Sequence, residues 1–211
     1  NLGYNQYNWY AGAGCPRVGT GASGGGRIKL HAASTLTLPA GSYVSANGGA
    51  GLLWSGSEQN YGYGARSVGS GGGAGGSIQL AGTTISGSGT VRATGGRAGG
   101  AGAGAGSGGH ISVSASTSVS SSIVLQSTGG AVYDSSYTSV AGSAGTVYVV
   151  QGDQTFLYFS NADLNSKTTL FTPYPGEFQL ASKAITQVIV SKTARVKVAS
   201  ADAVCVHEMS V

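Results

Sequence analysis

The chain has 211 residues, of which 39 are glycine and 9% are Asp, Glu, Lys or Arg, with a net charge of +4; ordinary domains carry roughly 7% glycine and about 25% charge. Four prolines and no strict glycine triplet exclude collagen, and 40% hydrophobic residues at low net charge exclude charge-driven disorder. No apolar run approaches ~18 residues, so the sequence predicts no membrane span in this segment.

The chain opens on Asn1-Leu2-Gly3-Tyr4, without Met or signal peptide, and stops on Met209-Ser210-Val211. Both ends read as those of a processed piece of a longer protein. Tyr4 to Ser23 reads as the aromatic end of a glycine-rich excursion, with a further unit upstream. Then a repeat begins. Gly26-Arg27-Ile28-Lys29-Leu30-His31 leads to Leu36-Thr37-Leu38 and to Val44-Ser45-Ala46-Asn47-Gly48-Gly49. Gly76-Ser77-Ile78-Gln79-Leu80 leads to Ile85 and to Val91-Arg92-Ala93-Thr94-Gly95-Gly96. Gly109-His110-Ile111-Ser112-Val113 leads to Val119 and to Leu125-Gln126-Ser127-Thr128-Gly129-Gly130. An incomplete unit, Gly145-Thr146-Val147-Tyr148-Val149, is followed by Phe156-Leu157.

In each unit two apolar residues stand two apart, the spacing of a strand with both side chains on one face. Units of ~20–23 residues with three short strands each suit a stacked repeat architecture. The sequence therefore predicts an all-β fold: a parallel β-helix (a β-solenoid), right-handed on the general preference of parallel crossovers. Glycine-rich excursions, 50–75, 97–108 and 131–144, leave it from one edge. They are expected to stack on one another as extended, polyglycine-like strands; flexible, linker-like loops are the alternative.

After residue 161 the composition changes. Thirty-eight of the 39 glycines precede residue 153, and Lys167, Lys183, Lys192 and Lys197 all follow. The expected division is a glycine-rich repeat region over 1–161 and a glycine-poor β region over 162–211 that continues the solenoid, with a small separate β-sandwich as the alternative.

The pattern Gly-Gly-x-Ile-x-Leu … Gly-x-Val-x-Ala-x-Gly-Gly, clearest over 25–49 and 75–96, resembles the glycine-rich parallel β-helix repeats of large extracellular and cell-surface proteins, within the wider pectin-lyase-like group. The resemblance covers roughly 24–160 and is specific for architecture. It implies an extracellular or cell-surface location, and a group that spans structural proteins, adhesins and polysaccharide-degrading enzymes.

The chemistry favours no catalyst. Arg27-Ile28-Lys29 looks like the Arg-Ile-Lys string of polygalacturonases, but glycoside hydrolysis needs paired carboxylates, and the acids here are scattered singly. Arg27 and Lys29 read as outward neighbours of inward Ile28. His31, His110 and His207 lack metal-ligand spacing, no acidic cluster suits calcium, and the glycine strings lack the ending of a phosphate-binding loop. No catalytic residue, metal or cofactor is expected. The arginines are too dispersed for nucleic acid. Cys15 and Cys205 are disulfide candidates, with each other or with segments elsewhere. Trp9, Tyr10, Trp54, Tyr61, Tyr63, Tyr133 and Tyr137 lie in the excursions, either packing them against the body or offering rings to glycans or partner proteins. The reading is a non-enzymatic extracellular structural protein forming a rod or filament through self-assembly or contact with other surface proteins. An adhesin or glycan-binding module is the alternative, and a polysaccharide-degrading enzyme the weaker one.

Overall fold

A computed structural model describes residues 21–54, 68–100, 103–132, 140–161, 169–171, 185–191, 194, 196–198 and 206–210. No helix occurs among the described residues.

The repeat units form strands where the alternation predicts them. The first gives β1 (Arg27–His31), β2 (Thr35–Leu38) and β3 (Tyr43–Ser45). After a short pair, β4 (Leu53–Trp54) and β5 (Val68–Gly69), the second gives β6 (Ser77–Gly87) and β7 (Thr90–Arg92). The third gives β8 (His110–Val119) and β9 (Val124–Gln126). Then come β10 (Thr146–Gln151), β11 (Gln154–Ser160), β12 (Thr169–Phe171), β13 (Ile185–Ser191), β14 (Val196–Val198) and β15 (Val206–Ser210).

Register carries the packing. Ile28, Ile78, Ile111 and Val147 stand opposite one another across parallel β1, β6, β8 and β10, as do Leu30, Leu80, Val113 and Val149. Val44, Val91 and Leu125 repeat the arrangement across parallel β3, β7 and β9. Like side chains stand in line, and the central members, Ile78, Leu80, Val91 and Ile111, are fully buried in one core. Each such side chain withdrawn from water contributes about 1.5–3 kcal/mol.

The glycine segments are built differently. The Gly49 N–H donates to Ser23 O, Gly73 to Gly49, Gly96 to Gly73, Gly106 to Gly96, Gly130 to Gly106 and Gly142 to Gly130, at 2.8–3.0 Å. Segments entering the β1, β6, β8 and β10 strands thus alternate with segments leaving β3, β7 and β9. A Cβ added at Gly73, Gly96, Gly106, Gly130 or Gly142 would overlap the carbonyl of the segment beside it. Side-chain-free residues are required there because backbone lies against backbone, and the glycine-rich segments form a bonded layer through their described parts.

The expected fold class does not stand. The chain is not one parallel, right-handed β-helix with excursions from one edge. Among the described residues its strands form four separate sheets, and not all of them run parallel. The main sheet runs β1-β6-β8-β10-β11-β13-β15, with β2 also on β6, and it reverses in the middle: β10 and β11 are antiparallel, whereas β11, β13 and β15 are parallel to one another. β4 and β5 are antiparallel too. The physical cause is the turn. Only Gly152 and Asp153 separate Gln151 from Gln154, which pair, and Gly152 has φ 56°. Parallel neighbours need a crossover of about a dozen residues or more, whereas two residues suffice for an antiparallel hairpin. Phe156-Leu157 therefore does not belong to a fourth copy of the repeat.

The reversal also doubles the core. Phe156 and Tyr158 of β11 pack on the first cluster, while Leu157 and Phe159 point the other way and form a second cluster with Val188 of β13. Tyr148 of β10 packs against that second cluster.

Candidate functional site

The opposite face of the parallel strands is polar. Because side chains alternate, Arg27, Ser77, His110 and Thr146 form one row, and Lys29, Gln79 and Ser112 form the next, whose β10 member, Tyr148, packs instead on the second cluster. Adjacent strands are about 4.8 Å apart, so each row presents one side chain per strand. His110 Nδ1 lies 3.2 Å from Thr146 Oγ1. A shallow groove crosses the strands where they begin, lined by Arg27, Ser77, His110 and Thr146 with the glycines before them. A second crosses where they end, with His31, Thr83, Ser114 and Asp153. Arg27, Lys29 and His31 are exposed on β1, as their alternation with Ile28 and Leu30 predicts.

These rows offer hydrogen-bonding groups in line. Among the described residues no three His, Cys, Asp or Glu side chains gather as they would around a metal ion. No helix there is long and apolar enough to cross a membrane.

Of the residues singled out from the sequence, Trp54 lies in β4, its backbone paired with Val68, next to exposed Leu52 and Leu53. Trp9, Tyr10, Tyr61, Tyr63, Tyr133, Tyr137, Cys15 and Cys205 lie outside the described residues.

Two contacts escape sequence reasoning. The Arg92 guanidinium sits 5.3 Å from the centroid of the exposed Tyr43 ring, a cation–π contact between two repeat units. Asn161 is completely buried: its Oδ1 accepts from the Gly129 N–H at 2.9 Å, and its Nδ2 donates to Gly142 O at 3.2 Å. The only local signal for Asn161 is its place immediately after the alternating strand β11.

No protein-family model, curated protein or solved structure matches this chain.

Proposed function

We propose that this chain is an extracellular structural surface protein that self-associates edge to edge into filaments. One observation carries the reading: among the described residues the main sheet ends in β1 and β15, each paired on one side only. Such edges are templates for another strand. A contact between two different edges of identical chains is heterologous, and where its rotation does not close into a ring it propagates into an open filament.

The chemistry of β1 favours this pairing over β1 with itself. Two copies of β1 paired antiparallel about Lys29 would set like charges opposite each other, which is destabilising. β15 contains Glu208, whereas β1 contains Arg27 and Lys29. The bonded glycine layer suits a mechanical role, since it holds the body together through backbone groups that substitution on the surface leaves alone. The resemblance of the repeats to those of cell-surface proteins supports the location.

Proline scanning tests the reading. Gly26 O accepts from Ser77 N–H and Ala32 N–H donates to Ala81 O, so the even-numbered residues of β1 face β6. Residues 27, 29 and 31 direct their N–H and C=O groups outward. Lys29→Pro deletes one outward donor and spares the pairing with β6. Wild type should form concentration-dependent filaments in electron micrographs and heavy species by light scattering, while Lys29→Pro should remain monomeric with a similar melting temperature. A wild type that is monomeric at every concentration, or a Lys29→Pro variant that assembles equally well, overturns the proposal.

A further inference from the structure

Within the glycine layer, equivalent donors meet equivalent acceptors. The Gly48 N–H donates to Thr94 O and the Gly95 N–H to Thr128 O, both at 2.9 Å. Gly129 is the next in the series, and its N–H donates to Asn161 Oδ1, again at 2.9 Å. A second series runs alongside. Ser23 O accepts from Gly49, Gly73 O from Gly96 and Gly106 O from Gly130. The next carbonyl is Gly142 O, which accepts from Asn161 Nδ2.

In each earlier segment one backbone stretch supplies both groups: Thr94 O with Gly96 N–H, and Thr128 O with Gly130 N–H. At the last position no further glycine segment follows among the described residues, and one carboxamide supplies an acceptor and a donor in their place. Its orientation is fixed, because a flipped amide would set donor against donor and acceptor against acceptor.

We infer that Asn161 terminates the glycine layer by imitating the peptide groups that a further glycine segment would supply. The same stretch of chain closes the parallel block twice: β11 occupies the hydrogen-bonding edge of β10, and Asn161 occupies the end of the layer beside it. Without the carboxamide, the Gly129 N–H and the Gly142 carbonyl would be buried without these partners, or open to the backbone of another chain. Buried polar groups of this kind are costly to leave unmet. The inference is independent of edge-to-edge assembly, which concerns β1 and β15.

Amide hydrogen exchange by NMR on the full chain tests it. In wild type the Gly129 amide should be protected to a degree similar to Gly95. In Asn161→Leu its exchange should accelerate at least tenfold, with Gly48 and Gly95 unchanged. Asn161→Asp covers the case in which the leucine variant fails to fold: the ionised carboxylate keeps the acceptor but faces Gly142 O with a lone pair, whereas the protonated acid can donate there. The aspartate variant should therefore gain melting temperature, relative to wild type, as pH falls through its carboxyl titration. Unchanged Gly129 exchange in Asn161→Leu, or an Asn161→Asp profile parallel to wild type, overturns the inference.

Discussion

At the scale of single residues, glycine has two meanings in this chain, and the space around each decides between them. At Gly96 a Cβ would overlap the carbonyl of Gly49, and backbone cannot turn away as a flexible side chain can. At Gly26 a Cβ would meet nothing within 4 Å. Gly96→Ala should therefore lower stability by about 1–3 kcal/mol or more, the usual cost of overpacking. Gly26→Ala should be neutral or stabilising by about 0.4–1 kcal/mol through reduced freedom of the unfolded chain. Urea midpoints of the two variants check this, and equal shifts would show that the layer is not close-packed. The same contrast explains why glycine abundance is a poor guide by itself: only position within the layer separates obligatory from permissive glycines.

At the scale of elements, the inward positions of the parallel strands are unequal. Ile111 lies between Ile78 and Val147 and is fully buried, whereas Ile28 has, among the described residues, a paired neighbour on one side only and is half-buried. Ile111→Ala should cost about 2–5 kcal/mol, and Ile28→Ala less than half as much, by thermal or chemical denaturation. Both positions were legible in the sequence, because a period of two across successive units names the buried set without further information. The reversal at Gly152 was not. Its two-residue turn between alternating runs is a hairpin signal, yet Phe156-Leu157 also falls where the repeat expects an apolar position, and the repeat rhythm obscured the hairpin. The role of Asn161 was illegible for another reason: its partners lie 32 and 19 residues back along the chain, at positions only the folded register brings together. The aromatics and cysteines selected from the sequence fall, Trp54 apart, outside the described residues, so the polar rows make up the candidate surface.

At the scale of the whole molecule, the β10–β11 hairpin belongs to both cores, and two tyrosines report on it. Burial pushes the Tyr148 hydroxyl above its ordinary value of 10.0, the nearby Thr155 hydroxyl opposing this more weakly. Burial does the same to Tyr158. Tyr148 packs on the second cluster and Tyr158 on the first. A hydroxyl whose folded pKa is raised keeps its proton longer in the folded state than in the unfolded one. Its contribution to stability is therefore fully present below about pH 10 and is lost as pH rises through the folded value. Stability should be insensitive to these two groups at neutral pH and fall in the alkaline range. Tyr148→Phe and Tyr158→Phe should each flatten that fall, as measured by urea midpoints between neutral pH and pH 11. Because the two tyrosines face opposite cores across one hairpin, ionising either strains an element that both cores share. Alkaline unfolding followed by tyrosine absorbance and by far-ultraviolet circular dichroism should then give coincident curves. Separate transitions would mean that the second cluster melts away while the parallel block and its glycine layer persist.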